Sequence, residues 1–169
     1  MRISAIGIAA ALALSTSSFI SAAHAAGSTQ PFAGAATTGS CTIKKTEVAA
    51  ADSFDQSSSL TFVNLGDAGA ITFKSKKAGC VGGTFFANAG NASTGDSVVL
   101  QILIDGSPCE PLIGTYFFAN SGSDFSSHSA AFFCGANIAA GTHRIQVQYS
   151  SFDGGEVQFY QRTLEVTHS

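Results

Sequence analysis

The side chains able to move protons, hold a metal or act as nucleophiles are few and scattered in this 169-residue chain. His128 lies in a serine-rich stretch, His143 on the core-parity side of a strand pattern, and His168 in what reads as a frayed tail. No local spacing brings them toward one ion, so no metal or cofactor is expected. Nucleophilic catalysis needs an activated Ser or Cys with an oriented base, and no Gly-x-Ser-x-Gly elbow occurs. The acids stand mostly in turns: Asp67 in Gly-Asp-Ala-Gly, Asp96 after Gly95, Asp105 before Gly106 and Asp153 before Gly154. Turn chemistry explains Asp there, and no Asp-x-Asp pattern suggests a calcium loop. No catalytic residue is assigned, and the chain is not expected to be an enzyme.

The four cysteines are Cys41, Cys80, Cys109 and Cys134. None are two residues apart, as zinc ligands usually are, and an even count behind an export signal reads as two disulfides. That signal is residues 1–25. Met1-Arg2 is followed by an uncharged apolar run, and Ala23-His24-Ala25 fits the small-x-small cleavage rule. The expectation is secretion, periplasmic or extracellular, from a bacterium, with no membrane insertion after cleavage. Residues 26–40 are rich in Gly, Ala, Ser and Thr and read as a flexible lead-in, and residues 41–169 as one domain. Asn91-Ala92-Ser93 matches a glycosylation acceptor, a weak signal in a bacterial setting.

Charged residues make up 11% of the chain, against about 25% in ordinary domains. The net charge of −3 gives neither the basic surface that nucleic acid requires nor a polybasic patch for anionic lipid.

The elements are strands. Short apolar stretches recur about every ten residues: 43–50, 60–65, 71–73, 81–87, 98–104, 112–119, 130–134, 140–149 and 157–166. That is about nine strands of an antiparallel β-sandwich. Gly82 and Gly83 leave room for a bulge or a close neighbour. Asp105-Gly106-Ser107-Pro108, with Pro111, reads as a loop rather than a tight two-residue hairpin. Ile145, Val147 and Tyr149 alternate with polar residues, and residues 150–156 read as the turn of a closing hairpin. The alternation changes phase before Leu164, so a one-residue bulge near Gln161-Arg162 is needed to keep Val157, Phe159, Leu164 and Val166 inward. This register predicts that Ile145→Asp prevents folding and that Gln146→Asp is nearly silent. If residues 112–119 and 130–134 are antiparallel neighbours, the disulfides are Cys41–Cys80 and Cys109–Cys134.

Fourteen Phe and no Trp accompany the low charge. Phe85-Phe86, Phe117-Phe118 and Phe132-Phe133 are adjacent pairs, and strand neighbours point to opposite faces. One member of each pair enters the core. Phe86, Phe118 and Phe133, with Tyr116, Val99 and Leu103, are assigned to an outer face that acts as an interface.

Gly141-Thr142-His143, the alternation from Ile145 to Tyr149, the Gly154-Gly155 turn and Arg162-Thr163-Leu164-Glu165-Val166 resemble the end of a class of small secreted bacterial domains. Lys77-Ala78-Gly79-Cys80-Val81, Thr84-Phe85 and Leu103-Ile104-Asp105-Gly106 are similar to their middle. These are jelly-roll domains of unknown function, loosely like tumour-necrosis-factor modules. The resemblance covers residues 70–167 and implies a jelly roll, with trimers common and no catalytic residue carried over. The functional expectation is a secreted interaction or structural module that self-associates as a trimer or dimer and has an envelope partner. The alternative is a carbohydrate-binding module using loop Asp and Asn with Tyr116, Tyr149 or Tyr160, although the lack of Trp weakens it. A small hydrolase with dispersed carboxylates comes last.

Overall fold

Strict alternation of buried and open side chains builds this molecule from strands alone. The computed structural model describes residues 42–91, 97–111, 116–119 (of 116 and 117 the backbone) and 125–169, and every regular element among them is β. The strands are β1 (Lys45–Ala51), β2 (Asp55–Ser57), β3 (Val63–Asn64), β4 (Ala70–Ser75), β5 (Gly79–Asn91), β6 (Val98–Ile104), β7 (Ser107–Pro108), β8 (Tyr116–Ala119), β9 (Ser126–Ile138), β10 (Gly141–Ser151) and β11 (Val157–His168). They form two antiparallel sheets. In the first, β1 and β2 lie along one edge of β11, with β5 on the other and β9 beyond it. In the second, β3 and β4 lie along one edge of β10, with β6 on the other and β7 and β8 beyond it. Their inner faces share one core, giving an antiparallel sandwich of jelly-roll type. The signal, the lead-in and Cys41 lie outside the described residues.

The two closing strands are central, but they are not a hairpin. β10 and β11 are each paired on both edges within different sheets, and residues 152–156 carry the chain from one layer to the other. The reason is burial. Ile145, Val147 and Tyr149 on one strand and Val157, Phe159, Leu164 and Val166 on the other are almost fully buried, which edge-to-edge pairing alone cannot achieve. The Tyr149 and Phe159 rings meet across the layers with centroids 4.9 Å apart. The expected bulge is present: the register between β5 and β11 slips between Tyr160 and Arg162, and Gln161 has φ +47°.

Other local expectations meet mixed outcomes. Asp105-Gly106 forms a tight two-residue hairpin between β6 and β7, with Ile104 opposite Ser107 and φ values of +49° and +84°. Both central residues are left-handed, as such turns require, and Pro108 is accommodated on a short outer strand. A Cβ on Gly83 would collide with the Glu165 carbonyl oxygen, so the expected close neighbour is the β11 backbone.

The neighbouring of β8 and β9 is overturned, because β8 pairs with β6 and β9 with β5, in different sheets. Cys109–Cys134 forms all the same, with Cα atoms 4.2 Å apart. Glu110 and Phe133 exchange backbone hydrogen bonds of 2.8 and 2.9 Å, which brings the chain after β7 against β9. The bond therefore ties the two sheets together. No cysteine among the described residues is free, and the partner expected for Cys80 falls on Cys41.

Candidate functional site

The bulge decides which side chains of β11 face outward. It places Tyr160 and Gln161 in succession on the open side and turns Arg162 inward. Across β11, β5 and β9 the register sets Tyr160 opposite Asn88, Asn88 opposite Ser127, Thr163 opposite Phe86, and Phe86 opposite Ser129. Directly opposed residues share a face at about 4.5–5.5 Å between Cβ atoms, so these side chains form one patch. Phe86 is 47% exposed and Tyr160 is 42% exposed.

The polar members are already organised. The Ser127 hydroxyl donates to Asn88 Oδ1 at 2.6 Å, and Asn88 Nδ2 donates to Gln161 Oε1 at 2.7 Å. The chain of bonds fixes the amides while hydroxyl lone pairs and amide N–H groups keep further capacity. A shallow cavity of about 240 Å³ opens here, lined by Phe86, Ala87, Asn88, Ser127, His128 and Gln161. His128 Nε2 lies 2.6 Å from Ser126 Oγ, and its ring contacts Phe118 at 5.5 Å. Burial lowers the basicity of His128. No described carboxylate hydrogen-bonds its ring. The patch offers an apolar ring surface beside fixed hydrogen-bonding groups.

The residues assigned to an interface from the sequence do not gather on it. Phe86 is open, but Phe118 and Val99 are buried, and Phe133 and Leu103 are partly covered. For Phe118 the parity assignment is reversed: its ring packs against Phe85 and Phe159 inside the core, at 5.5 and 5.8 Å. The Tyr116 side chain lies outside the described residues. Among the tyrosines considered for stacking, Tyr149 is buried and unavailable to a ligand, whereas Tyr160 is open.

Sequence reading missed two charged features. Arg162 is 2% exposed, and its Nε–H donates to the Asp67 carbonyl at 3.0 Å and its Nη2 to Ser53 Oγ at 2.6 Å. Its Nη1 lies 3.7 Å from Asp55 Oδ2. Asp55 also accepts the Tyr149 hydroxyl at 2.8 Å and the Gly66 N–H at 2.6 Å. Burial, and then the Asp55 carboxylate, push the Tyr149 phenol far above its usual range. The parity behind the predicted bulge was the available signal, since it gives Arg162 the same inward phase as Leu164 and Val166. That phase extends to His168, which is no tail residue but the buried end of β11.

His143 is a structural group as well. It bonds Asp105 Oδ2 through Nδ1 at 2.7 Å and the Ala139 carbonyl through Nε2 at 2.9 Å. The hydrogen bond to Asp105 raises its basicity against the opposing effect of burial. For Asp105 burial acts upward, but the bonds from His143 and the Arg144 N–H outweigh it and lower the carboxyl.

No family model matches the chain, and no curated protein matches it. Solved structures similar in strand arrangement include dimeric latent PorU from Porphyromonas gingivalis, with a TM-score of 0.47 and 11% identity over 74% of this chain. The match spans only 12% of PorU. A second is infectious bursal disease virus Gx strain, at 0.43 and 13% over 73% of this chain and 32% of that one. A third is the CBM36-1 domain of a multidomain xylanase from the hindgut metagenome of Trinervitermes trinervoides, at 0.38 and 13% over 72% of this chain and 96% of that one. Scores and identities this low assign neither ligand nor activity.

Proposed function

We propose that this chain is a secreted, non-enzymatic binding module that takes a carbohydrate ring on the outer face of β5, β9 and β11. One observation carries the reading: an open Phe86 sits beside the pre-bonded string Ser127–Asn88–Gln161. A sugar ring has an apolar C–H face and a hydroxyl edge, which match an aromatic face and fixed amides respectively. The groups come from adjacent strands, so little order has to be gained on binding. Disulfide bonding suits an exported protein.

Glycan-array binding followed by titration of the best hit tests this. Phe86→Ala and Asn88→Ala are each expected to weaken binding at least about tenfold, roughly the 1.4 kcal/mol of one lost contact. Absence of glycan binding, or wild-type affinity in Phe86→Ala, overturns the reading.

Self-association is the second reading, favoured by a different observation. Val48, Phe86 and Tyr160 are all open on strands of the same sheet, and a second copy would cover them. Light scattering that returns a stable trimer or dimer, lost in Phe86→Asp, would prefer this reading.

A further inference from the structure

The far end of β11 carries a different chemistry. The chain has five lysines, and all of them line one cavity of about 320 Å³. Lys44 and Lys45 stand at the start of β1, Lys74 near the end of β4, and Lys76 and Lys77 in the bend before β5. β1 and β4 belong to different sheets, so the cluster comes from folding rather than from one basic run. In a chain of net charge −3 this concentrates positive charge at one end of the sandwich, where it attracts an anion. No side chain lining the cavity is acidic.

His168 is the second, independent observation. It lines the same cavity, is 1% exposed, and neither ring nitrogen has a hydrogen-bond partner. The Glu47 carboxylate is 3.8 Å from Nε2, beyond hydrogen-bond distance. The ring is held in place by stacking on Phe73, with centroids 4.5 Å apart. Ser169 pins the strand end, since its hydroxyl accepts the Cys80 N–H at 3.0 Å and its carbonyl the Ser75 hydroxyl at 3.4 Å. An imidazole held by stacking, with no hydrogen bond on either nitrogen, in a cavity lined by five lysines can receive oxygen acceptors.

We propose that this cavity binds a multiply charged oxyanion, a phosphate or sulfate ester carried by a larger ligand. The lysines supply charge, and His168 donates an N–H from the buried wall. The cavity volume, near the lower bound of ligand pockets, suits one headgroup rather than a polymer threaded through it. The site is separate from the Phe86 patch. Gln161 and His168 lie roughly 23 Å apart along the strand at about 3.3 Å per residue, so neither proposal depends on the other.

The test titrates the mature protein at low salt with three probes: inorganic pyrophosphate, a sulfated disaccharide, and phosphatidylglycerol vesicles set against phosphatidylcholine vesicles. Binding of at least one anionic probe is expected, weakening more than about fivefold when added salt shortens the screening length from roughly 30 to 8 Å. The probe that binds identifies the source of the ester. Lys45→Gln with Lys77→Gln, both at exposed positions, should weaken it more than tenfold without lowering the melting temperature. His168→Leu keeps every lysine and should weaken it at least threefold, and the imidazole NMR signals of the wild type should shift on binding. The proposal fails if no anionic probe binds. It also fails if the lysine variant binds like the wild type, or if His168→Leu binds unchanged with no imidazole shift, because exposed lysines then account for the attraction.

Discussion

Arg162 and His168 lie on one strand, point into the same interior and are equally hidden from solvent, yet their surroundings are opposite. Arg162 meets two hydrogen-bond acceptors, and its Nη1, which makes no hydrogen bond, faces at 3.7 Å a carboxylate that is itself tied to Tyr149 and Gly66. His168 has an aromatic ring beneath it, no hydrogen-bond partner, the Glu47 carboxylate 3.8 Å from Nε2, and five lysines lining the cavity it faces. Folding alone explains the first: the network seals the gap where β1 gives way to β2 beside the bulge, and joins both sheets through Tyr149. Folding alone does not explain the second, because a buried ring with no hydrogen bond on either nitrogen is a net cost. The comparison teaches that burial of a polar group says little until its partners are counted.

The largest expected effect comes from breaking the partnered side. Arg162→Ala removes one member of a buried ion pair and should lower unfolding stability by about 3–5 kcal/mol. Replacing the orphan should do the reverse: His168→Leu should leave stability unchanged or raise it by about 1 kcal/mol. Urea denaturation of the two variants measures both. A cost below about 1 kcal/mol for Arg162→Ala, or a loss above 2 for His168→Leu, would erase the distinction.

The sandwich was legible because alternation is a backbone property that survives without knowledge of partners. Ile145, Val147 and Tyr149, and then Val157, Phe159, Leu164 and Val166, announce buried faces wherever their strands pair. Which edges pair was not legible: a five-residue connection suits a hairpin and a crossing between layers equally well, and β10 and β11 take the second. The same gap explains the β8–β9 error and the correct disulfide beside it, since the Glu110–Phe133 bridge brings the cysteines together by another route. Both sites are contact properties. Phe86 could be placed outward from parity, but its neighbours Asn88, Ser127 and Gln161 come from three strands, and the lysines from three segments. Arg162 was hidden because a charge normally signals an outward position.

A smaller effect tests whether partnered polar groups are structural elsewhere. Parity on β10 exposes Gln146, but its amide donates to the Val147 carbonyl at 3.0 Å and the Gly69 carbonyl at 3.2 Å. It therefore fastens the loop before β4, and Gln146→Asp is now expected to be destabilising rather than nearly silent. A loss of about 1–3 kcal/mol is expected, because the carboxylate cannot donate to those carbonyls. Ile145→Asp, one residue away and fully buried, should still prevent folding. Equal chemical-denaturation midpoints for Gln146→Asp and the wild type would reduce the loop contacts to incidental ones.

The smallest effect sharpens the comparison with a second histidine against the same ring. His143 contacts Phe73 at 5.6 Å, while His168 stacks on it at 4.5 Å, and of the two only His143 hydrogen-bonds its carboxylate. Its folded pKa is raised above 6.5, so the favourable interaction is complete below that value and is lost as pH rises through the raised one. Asp105 acts oppositely. Its folded pKa is lowered from 3.8, so its contribution is present above that value and is lost as pH falls through the lowered one. The pair thus contributes most from about pH 4 to the ordinary histidine value, and stability should decline from pH 6 to pH 8.5. Because half of the Asp105 side chain is open to solvent, screening limits the amplitude to less than about 1 kcal/mol. His128 works against this trend, since burial lowers its basicity and favours the fold at higher pH. Subtracting the pH profile of Asp105→Asn from that of the wild type isolates the pair from His128. A difference profile that declines with pH supports the pairing. One that is flat across pH 6–8.5 would show that the His143–Asp105 contact carries no pH-dependent stability.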